Sequence, residues 1–332
     1  MMAEASLMKI LQKFPDKDFV ILNLTDPQLS DAEWAEGQTP RCVLEYTVNE
    51  LVARTKPDLI TVSGDLAWAG NHHAYDCLAD LLDGCGVPWS FVWGNHDQQN
   101  GQAEVERVVE RYLQRPLCLY ERGDAALGNG NFVLLIEQEG QAVQALLMMD
   151  SHDREAVIDQ NGETQEAWAR LTAPQLAWYR QQVAALRDRG CRDAALLLHI
   201  PPYAYRLASE AALKDQETRG EVTIAESMTA KPWNVGYEDS IGVQWEPICS
   251  YPSDDGVLAT IKECGLTTHV LAGHDHRIAT MISYEGIRWI YALKTGMGCY
   301  WTPALNGGTV LTVSENGLSD ARYEYVDASS LL

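Results

Sequence analysis

Short apolar runs alternating with amphipathic stretches organise the first hundred residues. Phe19-Val20-Ile21-Leu22-Asn23-Leu24 is an apolar run of strand length, and Leu59-Ile60-Thr61-Val62 and Pro88-Trp89-Ser90-Phe91-Val92-Trp93 repeat the pattern. Between the first two, Arg41–Thr55 carries Val43, Leu44, Thr47, Val48, Leu51 and Val52 at helical spacing. A second helix is expected over Ala74–Leu82, stopped by Asp83-Gly84. Strands alternating with helices predict an α/β fold whose ligands lie beyond the carboxyl ends of the strands.

Past a charged helix expected at 102–115 the pattern changes. Asn131–Ile136 and Ala142–Met149 are apolar runs on either side of Glu-Gly-Gln, which predicts a hairpin. After a polar stretch, Thr172 and Pro174 read as the N-cap and first turn of a helix running to Arg189-Gly190. Ala194–Leu198 and 268–272 predict strands, with a helix over 255–264 between them. Ile287–Ala292, Thr309–Val313 and Ala321–Tyr325 read as further antiparallel strands. Residues 204–250 make a long polar connection rich in Trp, Tyr and Glu, expected as a lid or a partly helical insertion. No repeat, low-complexity tract or linker divides the chain, so one domain over 1–332 is expected.

Composition narrows the function. The 25 basic against 47 acidic residues leave a net charge of −22, which disfavours tracking of a nucleic-acid backbone and any nucleic-acid duplex as partner. No apolar run reaches membrane-spanning length, and Met1–Phe14 lacks the apolar core of a signal peptide, so the cytoplasm is the expected compartment and no membrane partner is expected. The eight cysteines (42, 77, 85, 118, 191, 249, 264 and 299) include no Cys-x-x-Cys pair and read as reduced thiols rather than a zinc ribbon.

The chemistry gathers where the apolar runs stop. Phe19–Leu24 ends in Thr25-Asp26-Pro27-Gln28, and the next run ends in Ser63-Gly64-Asp65. The third ends in Gly94-Asn95-His96-Asp97. Later runs end in Asp150-Ser151-His152-Asp153, His199-Ile200-Pro201-Pro202-Tyr203 and Gly273-His274-Asp275-His276. Imidazole suits Zn, Fe, Mn or Ni, and two imidazoles two residues apart can serve two neighbouring ions. Any one of these motifs alone is weak, since a loop histidine with a local partner explains most of them. His72 and His73 are expected at the surface, His269 inside a strand, and Trp233 and Trp245 in packing roles.

In their order, these motifs resemble the calcineurin-like metallophosphoesterase family over about residues 18–315. The resemblance implies a four-layer α/β/β/α sandwich and a site for two divalent ions, whether Mn, Fe, Zn or Mg. It implies Asp65 as the bridging carboxylate, Asp26, Gln28 and His276 at one ion, and Asn95, His199 and His274 at the other. It implies His96 as a proton donor oriented by Asp97, and hydrolysis of a small phosphorylated substrate by a metal-bridging hydroxide. A phosphodiester, a nucleotide diphosphate and a phosphomonoester, phosphoprotein included, remain open, as does a non-catalytic metal-binding scaffold.

Two positions depart from the usual pattern. The first motif is usually Asp-x-His, and Gln28 stands here in its place, as in a DPQ-type group of relatives. Segment 232–276, with Gly236 and Glu238, is similar to the purple-acid-phosphatase-like branch. That branch places a metal-binding tyrosine shortly after the Gly-Asp pair, where this chain has Trp68, and indole cannot ligate a metal. Around the site, Tyr203 is close enough to His199 to wall a pocket, and His152 closes a strand near the same rim. Arg206 and Arg277 are the nearest cations, able to grip a phosphate or to pair with carboxylates.

Overall fold

A computed structural model describes residues 8–158, 161–219, 233–234 and 240–332. The chain begins β1 (Lys9–Gln12), β2 (Phe19–Leu24), α1 (Thr39–Thr55), β3 (Leu59–Ser63), α2 (His72–Gly84), β4 (Trp89–Val92), α3 (Asn95–Gln98), α4 (Gln102–Tyr112). The middle runs β5 (Phe132–Gln138), β6 (Gln141–Met148), β7 (Arg154–Ile158), β8 (Thr164–Trp168), α5 (Ala173–Asp188), β9 (Ala194–Leu197), α6 (Ala204–Arg219). The last part holds β10 (Trp233–Asn234), β11 (Ile241–Gln244), α7 (Val257–Cys264), β12 (Thr267–Ala272), β13 (Ile278–Tyr284), β14 (Ile287–Tyr291), β15 (Gly307–Ser314) and β16 (Gly317–Tyr325).

Among the described residues the strands form two large mixed sheets. One has the order β16-β15-β2-β3-β4, the other β1-β5-β6-β9-β12-β14-β13-β11-β10, and β7 and β8 make a separate ribbon. Within the first, β2, β3 and β4 are parallel; within the second, β6, β9, β12 and β14 are parallel. Parallel strands put their carboxyl ends at one edge of a sheet, so each sheet presents a row of loops to the same rim. Alternation sorts the side chains. Phe132, Leu134 and Ile136 of β5 join a core with β2–β4, α1, α2 and α4, whereas Val133 and Leu135 join a second core with α5, α6 and α7. Helices thus cover the outer faces of two sheets packed on each other, the four-layer sandwich, and strands buried on both faces need the uninterrupted apolar runs seen above.

Helix ends follow local chemistry. Thr172 caps α5 by accepting from the Gln175 amide with Pro174 in the first turn, and Gly265 in the left-handed region closes α7. Six of the described strands are not expected from the apolar pattern: β1, β7, β8, β10, β11 and β13. The 204–250 stretch opens as helix α6 and returns as β10 and β11, which pair onto β13; residues 220–232 and 235–239, Gly236 and Glu238 among them, lie outside the described residues. Trp245 packs beside Val243, Ala279, Leu293 and Leu305. Among the described residues no helix is long and apolar enough to cross a membrane.

Candidate metal centre

The two rows of strand ends meet. Asp26 follows β2, Asp65 follows β3, Asn95 and His96 follow β4, His199 follows β9, and His274 and His276 follow β12. From opposite sheets, His199 Nδ1 reaches the Ser63 carbonyl at 2.8 Å, and the His274 amide donates to Asp26 Oδ2 at 3.2 Å. His199 Nε2 then lies 3.3 Å from Asp65 Oδ2, 3.0 Å from Asn95 Oδ1 and 3.3 Å from His274 Nδ1. On the other flank His276 Nε2 faces Asp26 Oδ1 at 3.2 Å. Asp65 Oδ1 accepts the His96 amide at 2.9 Å while Oδ2 faces His199.

Such close approach is bought with backbone strain. Asp26 (φ 54°), Gln28 (38°), Asp65 (50°) and His274 (81°) all occupy the left-handed region that L side chains avoid. Glycine makes room at two crossings. A Cβ on Gly64 would stand 2.5 Å from His199 Nδ1, and one on Gly273 would meet Thr25 Oγ1 at 2.1 Å and Asp26 Oδ2 at 2.9 Å.

Buried polar atoms mark where a ligand fits. Gln28 is fully buried, and among the described residues neither its Oε1 nor its Nε2 has a partner; Asn95 Nδ2 and His274 Nε2 are likewise buried and unpaired there. Orphaned polar atoms are costly in a native interior and call for an occupant. Ligand atoms of Asp26, Asp65 and His199 all lie within 4.8 Å of one another. Two carboxylates, three imidazoles and two amides are a donor set suited to Mn²⁺, Fe²⁺ or Zn²⁺. The residues present therefore fit a divalent metal, and the Ser63 carbonyl on His199 Nδ1 and the Tyr300 carbonyl on His276 Nδ1 (2.8 Å each) leave both Nε2 atoms for it.

Electrostatics agree. Burial would raise the Asp26 and Asp65 carboxyls, but His276 and His199 respectively outweigh it and hold both below the usual carboxylate range. Burial disfavours charge on His199 as well, yet the Asp65 carboxylate lifts it to about 10, whereas burial and the charge on His199 push His274 down to about 3. Two imidazoles this close share a single proton, and a cation competes for its place. Lys294 is buried beside them, with its ammonium on the Asp26 carbonyl; burial lowers it to about 8 against the pull of Asp26.

The other candidate residues take partners of their own. Asp97 makes no hydrogen bond to His96 among the described residues: its carboxylate accepts from the amides of Gly94 (2.8 Å), Leu66 (3.0 Å) and Ala67 (3.3 Å) and from the Tyr75 hydroxyl (2.8 Å). It ties the Asp65 loop to the Asn95 turn, and burial, then Asp65, raises it to about 7. His96 is instead packed against Trp68, ring centroids 4.4 Å apart, with its Nδ1 buried and unpaired. Just before α6 the Tyr203 backbone amide donates to Asp255 Oδ2 at 2.7 Å, and in the first turn of α6 the Arg206 guanidinium donates to Ser250 Oγ at 2.7 Å. Arg277 is exposed with its guanidinium over the Tyr300 ring, and His152 is held between Asp150 (3.4 Å) and Gln175 (2.9 Å).

Aromatic supports of the site carry no sequence signal of their own. Trp168, at the end of β8, meets the His274 ring edge-on at 4.2 Å and carries the Arg154 guanidinium 3.4 Å above its own ring. Tyr300 stacks on His276 at 4.2 Å. Asp275 points away from the centre, accepting from Tyr291 Oη (2.7 Å) and the Cys249 amide (3.0 Å), and so anchors the loop between the two histidines. An isolated aromatic in a polar stretch was the one available hint for Trp168.

A family model for calcineurin-like phosphoesterases matches residues 19–277. The chain belongs to that family. Calcineurin-like phosphoesterases are hydrolases of phosphoric esters built around dinuclear metal centres. Relatives include a protein of Arabidopsis thaliana named "Probable inactive purple acid phosphatase 28", 24% identical over 313 residues, 83% of this chain and 71% of the relative. "Probable cyclic nucleotide phosphodiesterase" of Psychrobacter arcticus is 26% identical over 199 residues, 57% of this chain and 62% of its own. In fold, this chain is similar to a dimetal phosphatase from Danio rerio, with a TM-score of 0.53 and 14% identity over 92% of this chain and 98% of that one.

Proposed function

We propose that this phosphoesterase hydrolyses a small phosphate ester at a two-metal centre, with Asp26, Gln28 and His276 on one ion, Asn95, His199 and His274 on the other, and Asp65 between. The observation that carries the reading is the meeting of these side chains from two sheets, with buried donor atoms of Gln28 and His274 left unpaired. Divalent ions, when bound, supply Lewis acidity toward phosphoryl oxygens and a water of lowered pKa. The protein's share is placement. Left-handed backbone at Asp26, Gln28, Asp65 and His274 aims donors inward, and Thr25 Oγ1, donating to Asp26 Oδ2 at 2.6 Å, fixes one carboxylate. His96, held by Trp68 and by its amide on Asp65, donates a proton to the departing oxygen. The net charge of −22 favours a small ester over folded nucleic acid.

Metal-reconstituted hydrolysis tests this. Apo protein loaded separately with Mn²⁺, Mg²⁺, Fe²⁺, Zn²⁺, Ni²⁺ or Co²⁺ is assayed on p-nitrophenyl phosphate, its bis ester and ADP-ribose, with Asp65→Asn as blank. Turnover with at least one metal and none in the blank is expected, and the preferred ester sorts monoesterase from diesterase from diphosphatase. Equal rates in the blank overturn the reading. Two bound ions with no turnover of any ester favour the scaffold reading, to which the word "inactive" in the Arabidopsis name lends weight.

A further inference from the structure

Lys294 is 2% exposed, has no ion pair among the described residues, and sets its amino group against the Asp26 side of the centre. Its segment is locked there. The Thr295 amide donates to the Thr25 carbonyl at 3.0 Å, the Thr25 amide returns to Thr295 Oγ1 at 3.2 Å, and the Gly307 amide donates to the Lys294 carbonyl at 3.0 Å. A few residues on, a Cβ at Gly298 would stand 2.3 Å from the Pro27 carbonyl oxygen, so this stretch lies directly on the Asp26–Gln28 loop. The ammonium donates to the Asp26 carbonyl and so cannot swing away to solvent without leaving that oxygen bare.

The charge balance makes this placement consequential. Of the seven side chains assigned to the metals, Asp26 and Asp65 alone are carboxylates; the rest are amides and imidazoles, which bind a metal in their neutral form. Two negative charges face up to four positive ones, and Lys294 adds a fifth on the Asp26 side, in an interior that screens poorly. Gln28 does not compensate, because an amide oxygen is a weaker donor than imidazole to borderline metals. Among the described residues neither side chain hydrogen-bonds to Asn95, His199 or His274.

We infer that Lys294 makes the metal centre asymmetric, weakening divalent-ion binding at the Asp26–Gln28–His276 position while sparing the Asn95–His199–His274 position. This rests on the two-metal reading above. The chain then holds one ion firmly and a second that exchanges, and occupancy of the second position follows the free metal concentration.

Mn²⁺ titration of the full-length apo protein at pH 7, by calorimetry with electron paramagnetic resonance to count bound ions, reads both steps without substrate. Wild type is expected to show a tight and a weak step. In Lys294→Met the weak step tightens, on the order of tenfold or more for a unit charge removed from poorly screened surroundings, while the tight step stays within about twofold. Lys294→Gln, which keeps a donor for the Asp26 carbonyl without the charge, is expected to behave like Lys294→Met and replaces it should that variant fail to fold. Lys294→Arg keeps the wild-type gap. A weak step that is unchanged or weaker in the uncharged variants overturns the inference and leaves the two-metal reading standing. Wild-type protein that takes up no ion at either step overturns the two-metal reading itself.

Discussion

His96 does its work without a carboxylate behind it. Its ring rests on Trp68, its amide is fixed to Asp65, and the neighbouring Asp97 is spent on the amides of Gly94, Leu66 and Ala67. His96→Ala therefore removes a proton donor and leaves every proposed metal donor in place. We expect kcat to fall by about 10²–10⁴ while Mn²⁺ stoichiometry is unchanged; full activity in that variant would remove His96 from the chemistry. Residue identity at the strand ends was legible because polar, metal-competent side chains interrupt apolar runs. Partner choice was not. Asp97 adjoins His96 in sequence, but both lie in the single helical turn Asn95–Gln98, where consecutive residues point apart. Gln28 was equally ambiguous on paper; it is completely buried, with both amide atoms unpaired among the described residues, as the proposed donor role requires.

At the scale of elements, β12 shows how a central strand handles a polar residue. His269 lies between Ala195 of β9 and Arg288 of β14 in the ladder, and burial, then the Arg288 charge, depresses its pKa to about 4. An unfolded histidine takes a proton below about pH 6.5, whereas the folded one resists until about pH 4. This contribution to stability is present above pH 6.5 and lost as pH falls toward 4. Its size is on the order of 1–2 kcal/mol once partial exposure of the ring is allowed for. Urea unfolding of wild type and His269→Gln from pH 8 to 4 should show the variant losing less stability over that window; parallel pH profiles would contradict it. The β7–β8 ribbon marks where reading by pattern stops. Its strands are half-exposed and polar, with no apolar face to give a period of two, yet it delivers Trp168 to His274. Strands β1 and β13 were missed as well: β1 is a four-residue edge strand, and β13 runs on directly from the metal-site loop.

For the whole molecule, the joint between the two sheets is the common foundation of fold and site. Phe91 of β4 is fully buried among rings of the first sheet and α4, stacked on Tyr120 at 4.6 Å and edge-on to Trp93 at 5.0 Å and Tyr112 at 5.4 Å. Phe91→Ala leaves a cavity among large rings that cannot easily collapse, and should cost about 3–5 kcal/mol in chemical denaturation. A loss under about 1 kcal/mol would mean that the rings repack. The amino-acid sequence by itself determined the α/β class, most of the central strands and helices, and the strand ends at which metal-competent residues gather, because burial on both faces and helix capping leave local signatures. Only the tertiary structure decided which of those ends face each other, that Asp97 braces a loop, and that Lys294 stands beside Asp26 from 268 positions away. Those outcomes depend on distances between elements remote in sequence, where a single charge or ring changes the chemistry without altering any local pattern.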